Sequence, residues 1–450
     1  MFNFLIILAW TLNSCYNKKM ETIVSLATPA GNSGVAVIRI SGENSKDILQ
    51  KLIREDVDFE PRKMYLKTIH VADFFDKCLV VYFKAPFSFT GEDVVEIQSH
   101  GGYFLAQKII DETLKFGAKL AERGEFSKRA FINGKMSLDQ AEGIIDLINA
   151  ESDMQAKTGS NLMFGKLKEI ITGYQNELTE ILAEIEAKLD YPEYEYTENE
   201  TSNIKEKLTN ISINLSNLIN ESKSGLLIKN GVKVAIAGAP NVGKSSLLNA
   251  LTKSNKAIVT NIAGTTRDVI EAEYEYNGII FRLFDTAGIH ESEDIVEKIG
   301  IDRAIKALKD CDIVLKISSP DSACEIETDK PFIEVFNKTD LLKSEKNDKF
   351  FYVSAEINEN IEALKQLIFD KTVIGDIKQN KMYLTNTRHI ECVKTAKQFI
   401  QNAIEIFETT TMDIISSEIK SAWQALGDVS GVNSDEEIID KIFSKFCLGK

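Results

Sequence analysis

Three regimes of hydrophobic patterning follow one another along the chain. From residue 21 to about 133, short apolar and β-branched runs (22–26, 35–40 and 79–83) alternate with turns marked by Gly31, Gly34, Gly91, Gly101 and Gly102. Runs of this length bounded by glycine predict strands. Residues 104–116 carry helical spacing, so this part reads as an α+β domain. From Ser137 the period lengthens. Leu167, Ile170, Ile171, Tyr174, Leu178, Ile181, Leu182, Ile185 and Leu189 recur at three, four and seven, the stripe of one long amphipathic helix. It is expected to stop at Asp190-Tyr191-Pro192. The acidic residues Glu193, Glu195, Glu198 and Glu200 then read as a solvated loop, and a second helix follows through Ile204, Leu208, Ile211, Leu215 and Leu218.

From Val232 to about Ile374 strands and helices alternate, after which helical stripes return. Val393, Ala396, Ile400, Ala403 and Phe407 form one; Ile415, Ile419, Ala422 and Leu426 form another. Ser434 to Glu437 reads as a capping box opening a last helix. Helices on both sides of an α/β unit predict an insertion, with two separated helical segments packing into one bundle. The expected domains are 20–133 (α+β), 134–228 (helical), 229–376 (α/β) and 377–450 (helical). The apolar run at 4–10 is too short to span a bilayer and has no preceding Lys or Arg, so residues 1–19 read as an extension before Met20.

Composition narrows the field. A chain of 450 residues exceeds one ordinary core. A net charge of -15 argues against a generic nucleic-acid coat, which needs a broad basic face, though not against a local patch or RNA contact through a partner. Six cysteines without a CxxC pair argue against a zinc site or disulfide framework and fit a reduced, cytoplasmic protein; no segment is long and apolar enough to be transmembrane, so no membrane association is expected.

The chemistry concentrates in the α/β segment. The apolar run 232–237 leads into Gly238-Ala239-Pro240-Asn241-Val242-Gly243-Lys244-Ser245, with Ser246 opening a helix. This strand–loop–helix context is that of a phosphate-binding loop, whose N–H groups face phosphate oxygens. Lys244 would supply charge to the β/γ oxygens, and the Ser245 hydroxyl would ligate Mg²⁺. The run 279–284 ends in Asp285-Thr286-Ala287-Gly288, suited to a magnesium shell and a γ-phosphate contact. The run 333–336 ends in Asn337-Lys338-Thr339-Asp340, and the Asp340 carboxylate can accept from guanine N1–H and the 2-amino group; adenine offers neither donor. Ser354 and Ala355 follow another strand and can meet the guanine oxygen. Gly264-Thr265-Thr266 lies where a switch threonine would close on Mg²⁺. Order and spacing together predict a Ras-like GTPase domain. Ile289 stands where such domains often carry a water-orienting glutamine, so another group must do that work; Glu293, Asp294 and Glu297 are open candidates.

The flanking strings decide which GTPase. Residues 22–29, 37–42, 90–102 and 124–135 and the terminal Phe446-Cys447-Leu448-Gly449-Lys450 resemble the MnmE (TrmE) family, tRNA wobble-uridine modification GTPases, from Met20 to the end. The resemblance implies a multidomain α/β protein: an N-terminal folate-binding and homodimerisation domain, a discontinuous helical bundle and an inserted GTPase domain. It implies 5,10-methylene- or 5-formyl-tetrahydrofolate at Arg39, Glu96, Lys135 and Lys450. It implies K⁺ at Asn241, Thr260, Ile262 and Thr265, with Asn261 and Ala263 in the same nucleotide-contacting loop, and Mg²⁺ at Ser245 and Thr266. Glu297 becomes the water-orienting carboxylate. Cys447 is left open between nucleophile and packing residue. The implied partners are tRNA and the flavoprotein MnmG (GidA) in a heterotetramer. The competing expectation is a ribosome-assembly GTPase switch of the Era or Der kind.

Overall fold

A computed structural model describes residues 20–72, 74–190, 197–253, 272–285, 308–324, 326–342, 347–373, 382–432, 434–447 and 449. The chain divides into two compact units, residues 1–141 with 430–450, and residues 142–429.

The first unit is built on a six-stranded sheet, β1 (Ile23–Leu26), β2 (Val35–Ser41), β3 (Met64–Val71), β4 (Phe74–Phe83), β5 (Val94–His100) and β6 (Lys119–Leu120), in the order β3-β4-β5-β2-β1-β6. Alternation along the strands sends Ile38, Ile40, Ile69, Val80 and Ile97 to one face, where α1 (Ser45–Ile53) and α2 (Tyr103–Lys115) bury them. The sheet also exposes Val35, Met64, Leu66, Phe75 and Leu79. Register pairs Leu66 with Leu79 and Arg39 with Glu96. Residues 430–450 group with this unit because α12 (Glu436–Phe443) packs on α3 (Glu125–Ile132). Phe443 packs between Phe131 and Phe446 in tilted contacts at centroid distances of 6.2 and 5.2 Å, and Lys128 pairs with Asp440. Gly124 (φ +69) lets the two approach, since a Cβ there would lie 2.3 Å from the Phe443 carbonyl oxygen. The capping box expected at Ser434 does not form. The N-cap is Asp435 and makes no side-chain cap hydrogen bond, so the helix starts one residue later than the pattern suggested.

The second unit begins within α4 (Leu138–Ile148), at Glu142, and α4 and α5 (Asp153–Met163) lead into the long α6 (Lys166–Leu189) and α7 (Glu198–Asn230). After the α/β insertion, α10 (Thr387–Glu405) and α11 (Met412–Ser430) return. The stripes read from the sequence meet in one core: Leu178, Ile181 and Ile185 of α6, Leu208, Ile211 and Leu215 of α7, Val393, Ala396 and Ile400 of α10, Ile415, Ile419 and Leu426 of α11. Two segments separated by the insertion thus make one bundle, as expected. The acidic run needs correction. Glu198 and Glu200 are not loop but the first turn of α7, where Thr197 and Glu200 form a reciprocal capping box; Tyr191 to Tyr196 lie outside the described residues. Among the described residues of this unit, Glu142 is a buried carboxylate. Glu142 on α4 accepts from Arg388 Nη2 (2.7 Å), His389 Nε2 (2.6 Å) and Asn386 Nδ2 (2.8 Å) at the start of α10, while Arg388 also donates to the carbonyls of Asp428 and Val429 at the end of α11.

The insertion holds β7 (Val232–Ala237), α8 (Lys244–Lys253), β8 (Ala272–Tyr276), β9 (Ile279–Asp285), β10 (Ile313–Ser318), β11 (Phe332–Phe336), β12 (Phe351–Tyr352) and α9 (Ile361–Thr372). Strand order is β12-β11-β10-β7-β9-β8, parallel except for the edge strand β8. Strands β7 and β10 are central and nearly continuous in buried aliphatic residues, as a sheet covered on both faces requires. From β7 the chain builds outward first on one side and then on the other. The crevice beyond the carboxyl ends of β7 and β10 is therefore a switch point, where ligands of open α/β sheets bind.

Candidate functional site

The loop after β7 enters that crevice. At Gly238 a Cβ would lie 2.5 Å from the Ile317 carbonyl oxygen, so only glycine lets the loop pass β10. Asn241 (φ +67) and Gly243 (φ +92) are left-handed and turn the chain into α8, whose first N–H groups open onto the loop. A Cβ on Gly243 would lie 2.4 Å from Asn337 Nδ2. Lys244 is half-buried, its ammonium donating to the carbonyls of Gly238 (2.8 Å) and Ala239 (3.1 Å), which holds a positive charge over the loop. Ser245 and Ser246 are exposed at the helix start, and Val242 is buried beneath the loop.

Asn337 joins this loop to the carboxyl ends of β11 and β12. Its side chain is buried; Nδ2 donates to Val242 O (3.0 Å) and Gly243 O (3.4 Å), and Oδ1 accepts from Ala355 N–H (3.1 Å). Lys338 (φ +62) sends its ammonium to Asn241 O at 2.7 Å. Asp340 is exposed and its Oδ1 accepts from the buried Ser354 hydroxyl at 2.6 Å, which aims an acceptor carboxylate outward. Thr339 is steadied by Glu359 (2.9 Å). Asn241, Val242, Gly243, Asn337, Lys338, Ala355 and, through Ser354, Asp340 therefore form one hydrogen-bonded floor. The bridging by Asn337 and Lys338 and the support from Glu359 were not read from the sequence, because side-chain bonds across 20 to 97 residues leave no periodic signal. β9 runs parallel to β7 with Asp285 level with Ile236, at the loop's root. Thr260, Asn261, Ile262, Ala263, Gly264, Thr265, Thr266, Thr286, Ala287, Gly288, Ile289 and Glu297 lie outside the described residues.

A second cluster lies in the first unit. Arg39 on β2 and Glu96 on β5 face each other in register and are joined through Nε and Nη2, both 2.8 Å from Oε1. The guanidinium lies 5.5 Å from the Phe89 ring and 5.8 Å from that of Phe126, and Nη1 reaches Gly449 O at 3.5 Å. Gly449 (φ +88) lies against β1: a Cβ there would fall 2.2 Å from Leu26 O. Lys135 belongs to the same neighbourhood through the loop that carries Phe89. Its ammonium donates to Pro86 O (2.9 Å) and its stem packs against Gly91. Cys447 is exposed, and Lys450 lies outside the described residues. Arg39 and Lys135 thus both touch the loop that carries Pro86 and Phe89, Glu96 is tied to Arg39, and the tail reaches Arg39.

Residues 22–135 match the family described as GTP-binding protein TrmE N-terminus, and residues 138–447 match the MnmE helical domain. The chain belongs to the MnmE family of tRNA modification GTPases. It is 36% identical over 457 residues to the tRNA modification GTPases MnmE of Staphylococcus aureus strains Newman and JH9, covering 96% of this chain and 100% of each relative. Among solved structures, the FeoB G-domain from Methanococcus jannaschii is similar over 31% of this chain and 96% of that one, at 28% identity and a TM-score of 0.25. As a member of the MnmE family the chain is a GTP hydrolase. Among the described residues no helix is long and apolar enough to cross a membrane, and no group of His, Cys, Asp and Glu could hold a metal ion.

Proposed function

We propose that this MnmE-family chain couples GTP hydrolysis to modification of C5 of the wobble uridine, position 34, of certain tRNAs. The added group is a (carboxymethyl)aminomethyl group, built with a one-carbon unit from a tetrahydrofolate and with the flavoprotein MnmG as partner in a heterotetramer in the cytoplasm. The observation that carries the reading is the coexistence of two sites in one chain: the Asn337-centred floor at the switch point, and the Arg39–Glu96 pair reached by the C-terminal tail.

At the first site Lys244 would neutralise the β/γ-phosphates, and Ser245 with Thr266 would hold Mg²⁺; the exposed Ser245 hydroxyl at a helix start fits that role. Asn241, with Thr260, Ile262 and Thr265, would hold K⁺. Its left-handed backbone and exposed side chain leave the amide oxygen available. Held by these residues, the two cations would supply positive charge to the phosphates. Glu297 would orient the attacking water. Asp340, held by Ser354, would read guanine. Asn261, Ala263, Gly264, Thr286, Ala287 and Gly288 would contribute to GTP binding.

At the second site the planar donors of Arg39 suit a carboxylated ligand and Glu96 suits ring N–H donors. Arg39 and Glu96 are paired with each other, so a ligand bearing both groups would exchange that one ion pair for two contacts of complementary sign. Lys135 and Lys450 would meet the ligand's acidic groups. The apolar residues Val35, Met64, Leu66, Phe75 and Leu79 of the sheet support a homodimer through this unit. GTP turnover measured in K⁺ and in Na⁺, with and without MnmG, tests the first site. Equal rates in the two salts would remove the potassium assignment. Titration of the chain with methylene-tetrahydrofolate tests the second; absence of saturable binding would remove the folate assignment.

A further inference from the structure

Strands β8 and β9 form a hairpin closed by Asn277 (φ 50) and Gly278 (φ 81), the two-residue turn whose twist matches its strands. One end of the hairpin is this turn. The other end of β9 is Asp285, which lies level with Ile236 at the root of the phosphate loop. About 20 Å of extended chain separates them. The turn end is held by residues of the helical segment just before α5. Ser152 caps α5 by accepting from Gln155 N–H at 3.3 Å, and the same hydroxyl donates to Gly278 O at 2.8 Å. Glu151 pairs with Arg282 Nη2 on β9 at 2.7 Å, and Arg282 also meets Glu273 of β8 at 3.1 Å, so the two strands are tied together and to the loop. Met154 fills the underside of the turn: a Cβ on Gly278 would lie 2.5 Å from its Cγ. The same stretch holds the root of the insertion, because Gln155 Nε2 donates to Lys229 O (3.1 Å) and Asp146 pairs with Lys229 (2.8 Å).

We propose that Glu151 and Ser152 are positioning residues for GTP hydrolysis. They grip the β8–β9 hairpin at its turn and fix, one strand-length away, the end of β9 that carries Asp285. A two-stranded antiparallel ribbon held at its turn, with β9 paired to β7 from Phe281 to Asp285, moves as one piece. A shift of α5 is then delivered to the phosphate loop's root, and a shift there is delivered to α5. Neither residue touches nucleotide; their effect is on the rate of the chemical step. The proposal rests on the reading of Asp285 as part of the magnesium shell.

The test is steady-state GTP turnover by the full chain in saturating Mg²⁺ and K⁺, with GDP affinity and thermal midpoint measured on the same samples. The variants are Ser152→Ala, Ser152→Thr, Glu151→Gln, Arg282→Gln and the Glu151→Gln/Arg282→Gln double. Ser152→Ala, Glu151→Gln and Arg282→Gln are each expected to lower kcat about fivefold with KM and GDP affinity unchanged. Ser152→Thr, which keeps the hydroxyl, should stay near the parent, and the double variant should be no slower than the slower single. Parent kcat in all three singles overturns the proposal. So does a fall in kcat only where the thermal midpoint and GDP affinity fall with it, or full additivity in the double. Asp285→Asn is the separate control: parent turnover in that variant removes the reading of Asp285, whatever the grip variants do.

Discussion

Glu142→Gln removes one charge and almost no volume from the α4–α10 node, which makes its cost calculable. Burial pushes the Glu142 carboxyl up, but the hydrogen bond and charge of His389, and then those of Arg388, outweigh it and hold the group down at about 2, against 4.5 for a free carboxyl. That difference corresponds to about 3 kcal/mol of stability. The group's folded value is depressed, so its contribution is fully present above the unfolded value of 4.5 and is lost as pH falls towards 2. The glutamine amide keeps the shape but leaves Arg388 and His389 facing a neutral group, a perturbation of the same order as breaking a buried ion pair. Thermal unfolding of the full chain followed by circular dichroism at pH 7 should show the bundle's transition lowered by roughly 6–12 °C. The gap between the variant and the parent should narrow as pH is lowered below about 4.5, because the parent loses the same interaction by protonation. A variant within about 1 °C of the parent at pH 7, or a gap that widens on acidification, would refute the reasoning.

Gly243→Ala places a methyl 2.4 Å from Asn337 Nδ2 at a left-handed backbone position, so guanine-nucleotide affinity should fall at least tenfold, checked by fluorescent GDP titration. Asp340→Asn should narrow the preference for GTP over ATP, since an amide presents a donor where guanine needs an acceptor; an unchanged ratio in competition binding would remove the base-reading role. Arg39→Ala should abolish tetrahydrofolate binding by calorimetry while leaving GTP turnover of the isolated chain at the parent rate, because the two sites share no residue.

Much of the scaffold was legible in the sequence because it is periodic. The α6 and α7 stripes and the apolar runs of β7, β9 and β11 each repeat a burial pattern that the sequence carries. The phosphate loop was legible because Gly238 and Gly243 occupy positions where any side chain would strike Ile317 O or Asn337 Nδ2. What escaped was either local competition or long-range pairing. The acidic stretch before α7 looked like solvated loop, yet Glu200 is spent on the N–H of Thr197 and on Lys188, and only the partner's position shows it. Ser434 carried the right spacing for a box, but the helix began at the neighbouring Asp435. Glu142, Arg388 and His389 look like ordinary polar residues on helices; their pairing across some 245 positions is set by the bundle's topology alone.

The discontinuity of the bundle has a consequence for biosynthesis. When α7 leaves the ribosome, the apolar edges of α6 and α7 have no α10 or α11 to cover them, and those partners arrive about 150 residues later. At ordinary elongation rates that is roughly 8–30 s during which Leu178, Ile185, Leu208 and Leu215 stand open to water or to a chaperone, while the nucleotide-binding insertion emerges first. Nascent chains are therefore expected to pass through a stage in which the α/β unit is folded and GTP-competent before the helices that flank it have met.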